Sequence, residues 1–328
     1  MSNTERNSPV IDCPAHTEHH PDVVESYPPK EVTLGGEDAL QVRRTLPNMR
    51  RSFVGAWCFV DHYGPEEGKC MDVPPHPHTS LQTVSWLFSG EIEHRDSGDV
   101  HAMVRPGEVN LMTSGYGIAH SEVSTKSRAA LHGVQLWTVL PKESADLTRE
   151  FQHHAPALDD NHRGVQSRVF IGRLGDASSP IHTETPLLGA ELILTPGTTW
   201  ETAVDPNFEH GVLVDTGVVD FDGERLDHSV LGVRGAGLGH LRLHNPTDRP
   251  ARLMLLGGEP FHEGIVMWWN FIGRSHEDIA RLREEWNNDP FDRFGRVKGY
   301  QGRTDRLAAP ELPADIRLKR RFRRGRES

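Results

Sequence analysis

From Thr83 onward, apolar and polar residues fall in short runs punctuated by glycine and proline. The run TVSWLF (83–88) is β-branched and aromatic and ends at Ser89-Gly90. EIEHRD (91–96) alternates and ends at Ser97-Gly98-Asp99. Val100–Val104, an Arg105-Pro106-Gly107 turn, Val109–Met112 and Leu131–Leu140 continue the series, and one strand stands upstream at Phe53–Val60. Strands at this spacing without intervening helices predict a barrel or sandwich.

The rhythm then recurs. Residues 141–186 are polar, contain Pro156 and Pro180, and read as a connection with one strand at Val165–Phe170. ELILTPG (191–197) alternates, HGVLVDTGVVDFDG (210–223) echoes TVSWLFSGEIEHRD, and RLMLLG (252–257) echoes Leu131–Leu140. Two halves with the same strand-glycine-strand order predict an internal duplication. One helix follows: Ser275 caps, Asp278 sits three residues on, and Ile279, Leu282 and Trp286 share a face. It is expected to pack on a barrel as a lid or brace.

Composition narrows the class. With 328 residues, two domains and some tail are expected. The net charge of −11 argues against a protein that grips nucleic acid through its phosphates. Cys13, Cys58 and Cys70 form no CxxC pair and read as free thiols, neither a disulfide framework nor a zinc ribbon. No apolar run approaches the roughly 20 residues of a bilayer span, and the N-terminus lacks an apolar signal core, so a soluble, cytoplasmic chain without membrane contact is expected. Residues 1–30 carry five prolines and three histidines (His16, His19, His20) and read as an unstructured arm. The stretch Arg317–Ser328 holds seven basic side chains and one acidic one, and reads as a solvated tail touching nucleic acid at most weakly.

Two short motifs carry chemistry. His76 and His78 stand at i and i+2, which puts both imidazoles on one face of an extended segment. His120 and Glu122 repeat that spacing further along. Two such pairs, on facing strands of a small barrel, would converge from opposite sides on one ion. A three-histidine, one-carboxylate set with no thiolate suits non-haem Fe(II), while Cu, Ni, Zn or Mn could occupy it in vitro. Gly115 and Gly117 are expected to form the tight turn that delivers His120. Asp61-His62, before a Tyr-Gly-Pro turn, reads equally as a support for a ligand histidine or as a strand-end pair. His94 and His101 are expected to point outward, and Trp86, Phe88 and Trp137 to lie in the core.

The segments HPHTSLQTVSWLFSGEIEHRDS and VRPGEVNLMTSGYGIAHSE resemble the signature of the pirin family, as do RRTLPNMRRSFVGAWCFVDHYGP and GGEPFHEGIVMWWNFIGRSHEDI. The resemblance covers roughly residues 32 to 290. It implies an all-β fold of two jelly-roll (cupin) barrels packed face to face with a short C-terminal helix, and places the family's metal ligands on His76, His78, His120 and Glu122. The expected division is an arm (1–31), a metal-binding barrel (32–142), a connection (143–186), a second barrel without metal (187–290) and a basic tail (291–328). Relatives often carry Arg-Gly after HPH where this chain has Thr79-Ser80, and an MNT-like ending where it has Trp269-Asn270-Phe271. By the first barrel's spacing, the second places Ala203 and Asp205 where the HxH pair would stand, leaving His210, His240 and His244 as isolated candidates.

The resemblance implies a dioxygenase that cleaves a small aromatic flavonol such as quercetin with dioxygen, releasing carbon monoxide and a depside. Glu122 would be the catalytic base for the 3-hydroxyl proton. The family also contains redox-responsive partners of transcription factors or metabolic enzymes, so an iron-dependent regulator with a protein partner is the alternative.

Overall fold

The computed structural model describes residues 21–34, 40–66, 68, 70–125, 129–160, 164–302, 304–313 and 317–319. They form two β-barrels, each built from a seven-stranded and a four-stranded sheet. In the first barrel the larger sheet runs, edge to edge, through Glu150–His154, Val109–Thr113, Leu81–Ser89, Leu131–Val139, Trp57–Glu66, Leu40–Leu46 and Lys30–Leu34. The smaller sheet runs through Asp72–His78, Ile118–Ser124, Ile92–Asp96 and His101–Val104. The second barrel repeats both orders, with Leu231–Arg234, Glu209–Thr216, Ala251–Gly258, Leu187–Leu194 and Val165–Ile171 in the larger sheet. Its smaller sheet is Thr199–Ala203, His240–His244, Val219–Phe221 and Glu224–Leu226. Glu209–Thr216 thus holds the place of Leu81–Ser89, and Ala251–Gly258 that of Leu131–Val139, the two echoes seen in the sequence.

The barrels meet through their larger sheets. One apolar cluster joins Trp57, Trp86, Trp137 and Leu136 to Leu213, Leu231, Met254 and Leu256. Trp86 stacks on Phe170 at 4.7 Å, and Trp57 Nε1–H donates to Gly257 O at 3.1 Å. A Cβ on Gly55 would stand 2.6 Å from Gly258 Cα, so this backbone crossing admits only glycine. Gly55 also has φ 54 and sits in the turn before the strand. That turn is why the strand expected from Phe53 begins at Trp57 and runs on to Glu66, through Asp61-His62.

Several segments are more ordered than their composition suggests. The arm expected over 1–31 contains Val24–Tyr27, which pairs with Leu231–Arg234 of the second barrel, and Lys30–Leu34 begins at its end. Burial of Tyr27 against Arg50 and Arg51 anchors it; residues 1–20 lie outside the described residues. The connection expected over 143–186 supplies Glu150–His154 to the first barrel and Asp159–Asp160 and Val165–Ile171 to the second. Val165–Ile171 is the strand expected at Val165–Phe170; polar composition hid the other two, which lie at the edges of their sheets and bury only one face.

The helix His276–Asn288 forms as its pattern predicts. Ser275 Oγ accepts from Asp278 N at 3.1 Å, and Ile279, Leu282 and Trp286 are buried against Trp268, Phe271, Phe294 and Ala119 of the first barrel. The tail expected from 291 does not begin there. Phe294 and Ala309 are buried, Leu307 N donates to Pro75 O at 2.9 Å, and Tyr300 Oη–H donates to Asp72 at 2.7 Å. Apolar residues spaced through this polar stretch hold it on the first barrel; residues 320–328, most of the basic run, lie outside the described residues. No helix among the described residues is long and apolar enough to cross a membrane.

Candidate metal centre

Asp72–His78 contains three prolines and is the edge strand of its sheet, where missing N–H donors are tolerated. It pairs antiparallel with Ile118–Ser124, so that His120 stands opposite His76 and Ile118 opposite His78. The two histidine-bearing motifs are therefore hydrogen-bonded neighbours in one sheet, rather than facing one another across the barrel. Their inward side chains converge because adjacent strands in register point the same way. A bulge between His120 and Glu122 breaks the register and re-aims Glu122.

His76, His78 and His120 bring ligand atoms within 4.8 Å of one another, and all three are buried. His76 Nδ1–H donates to Pro74 O at 2.8 Å, and His78 Nδ1–H donates to Asn270 O at 3.0 Å. Both rings therefore turn Nε2 inward. His78 Nε2 lies 3.1 Å from His120 Nε2, and His76 Nε2 is buried with no hydrogen-bond partner among the described residues. Two nitrogens held about 2.1 Å from one ion at near a right angle lie about 3 Å apart. The spacing, the orphaned nitrogen and the all-nitrogen-and-oxygen donors fit a divalent transition metal.

Burial pushes the His76 imidazole down to about 4 and holds those of His78 and His120 well below their ordinary value. All three are thus neutral near pH 7, the form that binds metal.

Glu122 belongs to a second, overlapping triple with His94 and His120, whose ligand atoms also lie within 4.8 Å. His94 was expected outside; it is 3% exposed and stands opposite Glu122 in the neighbouring strand. Strand parity could have found it. Ile92 must face the core, and His94 and Asp96 share its face in IEHRD. His101 does point outward, where it meets Glu93.

Other candidates take different places. Asp61 holds Arg44 through two bonds of 2.7 and 2.8 Å, and His62 reaches Asp215 and Ser229 of the second barrel, so neither supports a ligand histidine. The strand runs past them, which directs alternate side chains to opposite faces. Trp86 and Trp137 are both core, and Trp137 stacks on Phe59 and lies 5.0 Å from the His78 ring, near perpendicular to it. Half-buried Phe88 lies beside His132 and under Arg252. In the second barrel, His210 is buried, His240 is exposed, and His244 bonds Thr199 Oγ1.

Two turns position His120 and His78. Gly115 has φ 49, and a Cβ there would stand 1.7 Å from Leu147 O. The Trp269-Asn270 turn, between Val266–Trp268 and Phe271–Gly273, brings the Asn270 carbonyl to His78, with Trp269 at φ 52. Thr79 Oγ1–H donates to Ile272 O at 2.9 Å, and Ser80 adopts φ 56.

Comparison with known proteins agrees with the fold of two barrels. The Pirin family profile matches residues 39–138, and the Pirin C-terminal cupin domain profile matches residues 189–292. A Pseudomonas aeruginosa protein named "putative quercetin 2,3-dioxygenase" is 40% identical over 96% of this chain and 99% of its own. A pirin-like protein of Caulobacter vibrioides is 34% identical over 79% of this chain and 90% of its own. The crystal structure of a quercetin 2,3-dioxygenase from Acinetobacter baumannii superposes with a TM-score of 0.83 at 34% identity, covering 90% of this chain and 98% of that one.

Proposed function

The chain belongs to the pirin family, and on that premise we propose that it is an Fe(II)-dependent dioxygenase opening the ring of a flavonol such as quercetin. The observation that carries the reading is the convergence of three neutral, buried imidazoles, with Glu122 beside His120. The names borne by the Pseudomonas and Acinetobacter proteins support the substrate class.

When bound, an ion would supply Lewis acidity toward the substrate's oxygens. His76, His78 and His120 would hold it, with His76 and His78 locked in the required tautomer by the Pro74 and Asn270 carbonyls. Glu122 accepts the proton of the flavonol 3-hydroxyl as general base.

The test is anaerobic loading with Fe(II), followed by quercetin and air. Loss of the flavonol absorbance together with carbon monoxide release is expected. Glu122→Gln should retain metal and lose turnover by about 100-fold or more. Absence of turnover with Fe, Mn, Ni, Cu and Zn alike overturns the reading.

One observation favours the regulatory alternative: His76, His78, His120 and Glu122 are each at most 1% exposed. An ion so enclosed could act through the charge it places in the barrel, with Fe(II)/Fe(III) exchange altering a protein-binding surface. A partner captured only in one iron oxidation state, without flavonol turnover, would select that reading.

A further inference from the structure

Asp96, His94 and His120 form a buried line leading to the metal centre. Gly98 N donates to Asp96 Oδ1 at 2.7 Å and Val100 N at 3.2 Å, which fixes the carboxylate in its turn. The other oxygen, Oδ2, lies 3.2 Å from His94 Nε2. His94 Nδ1 lies 3.4 Å from His120 Nδ1, and His120 Nε2 faces His78 Nε2 at 3.1 Å. Asp96, His94 and His120 are 2%, 3% and 1% exposed, so water does not compete freely for these bonds.

The direction of every bond follows from its outer end. An ionised carboxylate only accepts, so His94 Nε2 carries a hydrogen. With that one hydrogen on the ring, Nδ1 keeps a lone pair, which accepts from His120 Nδ1–H. His120 is left with a lone pair on Nε2, the nitrogen that faces the other two histidines. His76 and His78 take the same tautomer from backbone carbonyls. Among the described residues, the partner of His120 Nδ1 is a side chain, His94, where His76 and His78 use backbone carbonyls.

We infer that His94 and Asp96 are positioning residues of the metal centre, a carboxylate–imidazole arm that sets the tautomer of His120 and makes it a stronger donor. This rests on the reading that His76, His78 and His120 hold a metal ion, and it adds two residues to that centre. Outer partners of this type govern metal affinity by roughly 10–100-fold.

The experiment compares the wild-type protein with His94→Phe, His94→Gln and Asp96→Asn. Asp96→Asn keeps an oxygen for Gly98 N and Val100 N but turns an N–H toward His94. That reverses the line and moves the His120 hydrogen to Nε2. Three measurements are made: Co(II) affinity by competition with a chelator, the visible spectrum of the Co(II) form, and ¹⁵N NMR of the imidazoles in metal-free protein. Asp96→Asn and His94→Phe are expected to lose about 10–100-fold in affinity and to alter the Co(II) spectrum. His94→Gln, which can still accept from His120, should lose less. In metal-free protein, His120 should be protonated at Nδ1 in the wild type and shift toward Nε2 in Asp96→Asn, a result that does not depend on metal. A wild type that binds Co(II), with variants within twofold of it and an unchanged spectrum, overturns this inference alone. A wild type that binds no metal overturns the centre itself, and this arm with it.

Discussion

Asp215 of the second barrel lies 2.7 Å from the imidazole of His62 in the first, with both side chains fully buried. The same carboxylate oxygen accepts from His132 Nε2 at 2.5 Å, and the other accepts from Arg252 at 2.6 Å. Ser229 Oγ completes His62 from the other side at 2.9 Å. Each contact to Asp215 has the length of a charge-assisted hydrogen bond, and the group joins the two barrels as a buried clamp.

Replacing Asp215 with Asn should therefore weaken the docking of the two barrels. Two imidazole donors and the Arg252 guanidinium would lose their anion, although Arg252 keeps Glu191 within 3.9 Å. A loss of about 3 kcal/mol is expected, the scale of a buried pair broken from one side. Denaturant unfolding followed by tryptophan fluorescence measures it; a change below about 1 kcal/mol would contradict the clamp.

The clamp also predicts a pH dependence. Burial pushes His62 down to about 4, against the opposing pull of Asp215. An unfolded His takes up a proton near pH 6.5. Between roughly pH 6.5 and 4 the unfolded chain binds a proton that folded His62 refuses, so stability falls as pH drops through that window. Asp215 acts in a different window. Burial opposes its ionisation, but the bonds from His132 and His62 and the charge of Arg252 hold it far below the carboxylate range. Its contribution is present above the unfolded pKa near 3.9 and is lost only as the medium becomes more acidic still. His62→Gln should flatten the first window by up to one proton, read from melting temperature against pH.

Gly115→Ala should damage both stability and the metal centre. The added Cβ meets Leu147 O at 1.7 Å, on backbone with φ 49. A cost of roughly 3 kcal/mol is expected. Because this turn leads to His120, metal stoichiometry should fall with it. Thermal unfolding and metal analysis of the purified variant check the two effects together.

Removing residues 1–27 should expose the edge strand Leu231–Arg234 and uncover the site of Tyr27, which bonds Arg51 at 3.0 Å. Exposed edges recruit other strands. A lower melting temperature and self-association on size-exclusion chromatography are expected, and an unchanged monomer with unchanged melting would show the strand to be dispensable.

Much of this protein was legible along the chain. Period-two alternation and glycine turns fixed the β class and the duplication, because a strand with one buried face must alternate whatever lies around it. The capping pair Ser275 and Asp278 and the stripe Ile279, Leu282, Trp286 marked the helix for the same local reason. His76, His78, His120 and Glu122 could be picked out because i, i+2 spacing already places two side chains on one face. Other features depend on partners distant in the chain. Nothing near Val24–Tyr27 shows that it will pair with Leu231–Arg234, nor near His62 that its acceptor is Asp215. Nor does local sequence show that the two ligand strands lie side by side, since pairing and register are decided by how sheets close. Local periodicity is a property of the backbone; which faces meet is a property of the packed chain.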